Sequence, residues 1–202
     1  MVYGFIIHTV GTGPNGSPKP CRVLYSRVFH CDLVDEKLLS GEDELEQEMV
    51  RRKDQIAVVA RQAETMCQLR RQVSGRPASD FIVHSSDEAV SLHEEDVGVF
   101  GLSAGDPFYQ EMAVLWVGVY SLVFSLICDP QDNVALAEST LRMVVKYLVD
   151  SLKLLTHSSN AILRADKIQM ALDKFIPQGQ LLFLNHQAVQ VLEKELSNAL
   201  TL

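Results

Sequence analysis

One serine stands in a sequence pattern that could support covalent catalysis. Ser103 lies in the GxSxG pattern of residues 101–105, which is that of the nucleophile elbow of hydrolases. In this motif the serine sits on a sharp turn between a strand and a helix, and a later acid and a histidine complete the triad. Asp132 and either His157 or His186 could take those roles. The elbow needs a helix after the serine, but apolar strands follow here. A small serine hydrolase using Ser103 is therefore only an alternative hypothesis.

Two further patterns could bind phosphate or metal. Residues 11–16 match GxGxxG after a predicted strand, but another strand follows, so no helix N-terminus is available to receive a pyrophosphate. A hairpin loop is the better interpretation. The four cysteines form no CxxC pair, and the six histidines show no HxxxH or HExxH spacing. We therefore expect no cofactor and no metal.

The charge distribution limits the classes of partner. Residues 77–141 contain eleven acidic residues and no Lys or Arg, and the net charge of the chain is −8. Such a segment repels phosphate backbones and anionic lipids, so we expect no nucleic acid binding and only indirect membrane association. It is either a solvated acidic surface or a face for a basic partner. The first Lys or Arg of the sequence is Lys19, so the basic region of a secretory signal is missing and a cytoplasmic location is expected.

The remaining elements are organised around the charge-free run from Met112 to Cys128. This run is shorter than a membrane-spanning helix and is rich in β-branched residues. We predict two buried strands, Ala113–Val119 and Leu122–Cys128, joined by a tight turn at Tyr120-Ser121. A membrane span is the less favoured alternative.

The rest of the chain supplies further strands and four helices. Residues 2–10, 21–29 and 97–103 read as strands, and a long helix with an apolar stripe ends before Pro77. Three helices follow the hairpin. The order β-β-α-β-β-β-α-α-α predicts a single α+β domain over residues 1–202, with a five-stranded, mainly antiparallel sheet, helices on both faces and a loop or disordered insert at about 78–96. The predicted stripe of the long helix comprises Leu45, Met49, Ile56, Val59, Ala63, Met66 and Val73.

This order resembles the longin-like fold of the small (sigma) subunits of heterotetrameric clathrin-adaptor-type complexes. Strands like 4–8 and 22–25, an amphipathic helix, a hairpin ending at Asp129, an Asn cap and long helices occur in the same sequence. Within that group the chain is most similar to the sigma subunits of the fifth adaptor complex. The stretches that carry this similarity are Ser74-Gly75-Arg76-Pro77, Ser85-Ser86-Asp87-Glu88, Leu163-Arg164-Ala165-Asp166, residues 178–185 and Leu192-Glu193-Lys194-Glu195.

The resemblance implies a non-enzymatic scaffold subunit of a coat that acts in vesicle-mediated endosomal protein sorting and transport. Its expected partners are two large subunits and a medium subunit, with spatacsin and spastizin reached through the complex. The expected location is peripheral, on late endosome or lysosome membranes. A longin-type module that binds a small GTPase is a further alternative.

The resemblance also implies a site for acidic dileucine sorting signals. By position, Arg22, Leu122, Val144 and Leu154 would correspond to that site, and Tyr120 stands where a small residue would leave the groove open. Taken as residues alone, Arg22 is an ordinary strand charge and the other three are ordinary core positions.

Overall fold

A five-stranded antiparallel sheet forms the centre of the protein. The computed structural model describes residues 1–10, 21–29, 42–75, 95–105, 107–155 and 160–200. The strands are β1 (Val2–Thr9), β2 (Val23–Val28), β3 (Asp96–Leu102), β4 (Met112–Val119) and β5 (Leu122–Cys128). They lie in the order β2-β1-β5-β4-β3, and every neighbouring pair runs antiparallel. The predicted α+β fold with a five-stranded sheet is confirmed.

The central hairpin is formed by β4 and β5, as predicted. Both strands are almost wholly buried, and their register pairs Val119 with Leu122 and Ala113 with Cys128. The turn between them has two residues, and Tyr120 adopts a positive φ of 50° there. In the described part of the chain no helix is long and apolar enough to cross a bilayer.

One face of the sheet is covered by helix α1 (Glu42–Val73). Its Val59, Ala63 and Cys67 pack against Ile6 of β1 and Trp116 of β4. The predicted stripe is only partly correct, because the side chains of three of its members are exposed and Gln55 is buried among the apolar positions instead. The exposed members are Met49, Met66 and Val73, and the side chain of Leu45 lies outside the described residues.

The opposite face carries the larger core, so helices flank the sheet on both faces as predicted. Helix α2 (Val134–Leu152) and helix α4 (Ala165–Phe175) pack there against alternate residues of the strands, such as Phe5 and Val117. Asn133 caps α2 by accepting a hydrogen bond from the Leu136 N–H at 3.0 Å. Asn185 caps helix α5 (His186–Leu200) in the same way.

The predicted order of elements is confirmed, with one difference in the third helical segment. That segment is divided into α3 (Asn160–Leu163) and α4, because Arg164 between them leaves the helical conformation. Its guanidinium donates to the Leu152 carbonyl at 3.1 Å and thereby joins this break to the end of α2. Of the predicted insert, residues 78–94 lie outside the described part, and β3 begins at Asp96. The single-domain interpretation stays a prediction.

Candidate sorting-signal site

Arg22 directly precedes β2 and lies at one end of the sheet. Strand β1 lies between it and Leu122 of β5. Its carbonyl accepts a hydrogen bond from the Thr9 N–H at 2.9 Å, and its own N–H donates to Thr9 Oγ1 at 3.2 Å. Thr9 is in turn the β1 partner of Leu122 on β5. The side chain of Arg22 is exposed. The structure therefore places the Arg22 cation at the end of the sheet where the segments that contain Arg22, Thr9 and Leu122 lie side by side.

The three apolar residues of the predicted site share one core. Leu122 is 1% exposed, and Val144 of α2 and Leu154 after α2 are 0% exposed. Leu154 reaches the core because the chain turns at Lys153, which adopts the left-handed conformation with φ 50° and ψ 43°. Asn160 Nδ2 holds this turn by donating to the Lys153 carbonyl at 2.9 Å. As the residues stand, none of these three side chains offers surface to a ligand.

Tyr120 lies over the edge of the same core. Its side chain is partly buried and packs against the cluster that contains Leu122. The carbonyl of Tyr120 accepts a hydrogen bond from Arg71 Nη2 at 2.6 Å, and Arg71 Nε also donates to Asp96 Oδ2 at 3.0 Å. The end of α1 is thereby fastened to the start of β3 and to the hairpin turn. Arg71 and Asp96 were not identified from the sequence, which shows no pattern that links them.

The predicted elbow serine does not have the geometry of a nucleophile elbow. Ser103 follows β3 and is exposed, and the next element is the antiparallel strand β4, where the elbow needs a helix. Asp132 accepts a hydrogen bond from the Asp129 N–H at 3.2 Å, and His186 begins α5 with its ring 3.0 Å from Gln190 Nε2. His157 lies outside the described residues, as does the GxGxxG pattern.

Two buried thiols, Cys67 and Cys128, and the buried His8 are poorly suited to catalysis. Burial raises the pKa of Cys128 to about 12 and that of Cys67 to about 11, so both remain protonated thiols near neutral pH. Burial lowers the pKa of His8 to about 4, and its Nδ1 lies 3.2 Å from the Thr9 carbonyl. No group of three or more potential metal ligands occurs in the ranges that the structure describes.

One surface cavity lies between α1 and the loop after β3. Its volume is about 290 Å³, and it is lined by Arg51, Gly105, Pro107 and Tyr109. Two nitrogens of Arg51 donate to the two oxygens of Glu48 at 2.9 Å, and the guanidinium stacks 4.2 Å from the Tyr109 ring centroid. The hydrogen bond from Arg51 lowers the pKa of Glu48. The charge of this cavity is therefore already neutralised.

Comparison with known proteins identifies the family. The family model described as "AP-5 complex subunit sigma-1" matches residues 1–197. The human protein of that name is 48% identical over 200 residues, which cover 98% of both chains. The mouse protein is 43% identical over 157 residues, which cover 77% of this chain and 91% of the relative. The chain belongs to the AP-5 sigma-1 family.

Members of the AP-5 sigma-1 family are small subunits of an adaptor complex and not enzymes. The prediction of a non-enzymatic scaffold subunit in vesicle-mediated transport is thus confirmed. The comparisons support neither the serine hydrolase nor the small-GTPase-binding module.

The structure adds exposed apolar side chains that the sequence patterns did not identify. Phe183 is 90% exposed, and Leu163 and Tyr109 are also largely exposed. Leu182 and Phe183 lie between Leu181 and Leu184, which pack against the core, and of the two only Phe183 is exposed. The unbroken apolar run of residues 181–184 gave no sequence signal that singles out Phe183. Exposed aromatic and aliphatic side chains of this kind are typical of protein interfaces.

Proposed function

We propose that the chain is the sigma subunit of an AP-5 complex and packs against one large subunit, beside a second large subunit and a medium subunit. The observation that carries this proposal is the match to the AP-5 sigma-1 family over nearly the whole chain. The exposed apolar side chains of Leu163 and Phe183 support it, since a partner subunit would remove them from water.

We propose a location on the cytoplasmic side of late endosomes or lysosomes, reached through the complex. Spatacsin and spastizin would then be partners of the assembled complex rather than of this chain alone. The long acidic segment of residues 77–141 supports an indirect attachment, because it would be repelled by anionic lipid headgroups.

Tagging the chain in cells, crosslinking gently and identifying the co-purifying proteins by mass spectrometry tests these proposals. We expect near-equal amounts of two large subunits and one medium subunit, with spatacsin and spastizin in smaller amounts. Recovery of the chain without a stoichiometric partner would contradict the assembly. Imaging of the same tagged chain against late-endosome and early-endosome markers tests the location.

We further propose that Arg22, Leu122, Val144 and Leu154 mark a sorting-signal site that Tyr120 closes. Their position at one end of the sheet and in one core supports this. Leu122, Val144 and Leu154 are buried, and Tyr120 packs against the core that contains them. In this proposal, movement of Tyr120 opens that core to a dileucine signal. Arg22 would then face the acidic residue of the signal.

A peptide titration separates this site from a merely structural core. Replacing Tyr120 by Gly, which suits the positive φ of 50°, should tighten binding of an acidic dileucine peptide by about tenfold, because the closing side chain is removed. Adding Arg22→Glu should abolish the gain, whereas Arg70→Glu, a change at another exposed arginine, should not. An unchanged affinity in the Tyr120→Gly variant, or equal binding of a peptide with both leucines replaced by alanine, would contradict the proposal.

A further inference from the structure

The two edge strands of the sheet, β2 and β3, have different surroundings. On the β2 edge, Arg27 donates to the Gln169 carbonyl at 3.1 Å and forms an ion pair with Asp173, both on α4. On the β3 edge, all seven residues pair with β4 on one side, and no described strand pairs with the other side. In an antiparallel pair, alternate residues direct their N–H and C=O groups away from the partner strand. The second side of β3 therefore offers a row of backbone donors and acceptors.

Beyond the inward-pointing charge of Asp96 at its start, the β3 edge lacks the features that normally prevent strand addition. Natural edge strands carry lysines, prolines, bulges or inward-pointing charges, or they are short. From Val97 to Leu102 the sequence is VGVFGL, without charge or proline, and its pairing with β4 is continuous. Val99 is 56% exposed, and Gly101 has no side chain to obstruct a neighbouring strand.

One face of β3 is also packed tightly against the rest of the protein. A Cβ atom on Gly98 would lie 2.6 Å from the Trp116 ring, so that ring packs directly on the β3 backbone. Asp96 at the start of the strand is buried and bonded to Arg71, and Phe100 packs into the core beneath α1. An edge that is already ordered loses little conformational entropy when it receives a partner strand.

The charge around this edge defines the partner. β3, β4 and their connection lie within residues 77–141, which carry eleven acidic residues and no Lys or Arg. Glu111 before β4 is exposed. At the start of β3, Asp96 is paired with Arg71 and Glu95 with Arg142. Among the described residues of this edge, the exposed carboxylate left for a partner is therefore that of Glu111 at the other end. A second copy of the chain would present the same carboxylate, so charge complementarity favours a basic partner over self-association.

We propose that the outer edge of β3 receives an extended apolar segment flanked by Lys or Arg, supplied by another subunit of the AP-5 complex. This inference rests on the proposed assembly. The segment adds a sixth strand through main-chain hydrogen bonds, and Val99 provides the exposed apolar contact.

An array of overlapping peptides from the other AP-5 subunits, probed with the purified full chain, tests this inference. The expected binders alternate apolar residues and have basic ends, and they slow hydrogen exchange of the β3 amides. Val99→Lys and Gly101→Lys should each weaken binding by at least about tenfold, because lysine on an edge opposes strand addition and repels the basic flanks. Val191→Lys is the matched control, since Val191 on α5 is also 56% exposed, and it should retain full binding.

Three outcomes would overturn the inference. The first is that no peptide binds. The second is that the Val99→Lys and Gly101→Lys variants bind peptide as tightly as the parent chain does. The third is that the chain forms a dimer that Val99→Lys dissociates. Circular dichroism of each variant shows whether the fold is retained.

Co-purification from cells separates this inference from the proposed assembly. If the parent chain recovers its subunits and shows one of these three outcomes, only the edge proposal falls. If the parent chain recovers no subunit, the assembly proposal fails as well.

Discussion

The Phe124→Ala variant should have a free energy of unfolding about 4 kcal/mol lower than that of the parent chain. Phe124 is fully buried at the middle of β5, opposite Ile7 of β1 and Val117 of β4. It belongs to the larger core, beneath α2 and α4. Removing the ring takes away its transfer free energy and leaves a cavity that the close-packed strands cannot fill.

Urea unfolding followed by circular dichroism measures this effect. Phe183→Ala is the matched control, because it removes the same ring from a position that is 90% exposed, and it should change stability by less than about 0.5 kcal/mol in the isolated chain. Equal losses in the two variants would show that Phe124 is not in the core described here. In cells we expect loss of Phe124 to lower the amount of chain that co-purifies with its subunits.

The Arg71→Ala variant should be about 3 kcal/mol less stable than the parent chain, because it removes the cation from a buried carboxylate. Asp96 is 4% exposed, and Arg71 bonds both its Oδ2 atom and the carbonyl of Tyr120. The variant loses both hydrogen bonds and leaves Asp96 without its guanidinium partner. The end of α1, the start of β3 and the hairpin turn would then be less firmly connected.

Arg70→Ala is the control for this prediction. Arg70 is the neighbouring residue on α1 and is exposed, so its loss should cost less than about 0.5 kcal/mol. A double-mutant cycle with Asp96→Asn isolates the pair, and we expect a coupling energy above about 1 kcal/mol. A coupling energy near zero would mean that the ion pair contributes nothing and that any loss in Arg71→Ala comes from the contact with Tyr120.

The sheet could be predicted from the sequence because its strongest signal is local. The run from Met112 to Cys128 has no charge, is bounded by acidic residues and contains a break at Tyr120-Ser121, and it forms the hairpin as expected. The caps at Asn133 and Asn185 are also local, because each asparagine directly precedes the helix whose N–H group it accepts from. The division of the third helical segment was not predictable, because it depends on a bond from Arg164 to the end of a different helix.

The buried face of α1 shows where periodicity alone is insufficient. Met49 and Val73 fit the apolar stripe but are exposed, whereas Gln55 is buried because it accepts from the Tyr3 hydroxyl at 2.6 Å and donates to the Pro107 carbonyl at 2.9 Å. These partners lie far away in the sequence. For the same reason the link between Arg71 and Asp96 could not be found from the pattern of residues.

The candidate site was accessible to sequence reasoning only through the family resemblance. Apolar spacing indicated that Val144 faces the core, and nothing in that spacing brings it together with Leu122 and Leu154. The exposure of Arg22 follows from its place just before β2, where its backbone is engaged by Thr9 and its side chain is not needed for packing. Whether these residues bind a signal stays a prediction.

The position of β1 between β2 and β5 has a consequence for the biosynthesis of the chain. A ribosome completes β1 at Thr9 and β5 at Cys128, and the second step takes about 6 to 24 s more at about 5 to 20 residues per second. During that interval β1, an interior strand of the folded sheet, lacks its neighbour β5. An unpaired apolar strand edge favours aggregation, so we expect a chaperone that shields β1 until the central hairpin emerges to protect the nascent chain.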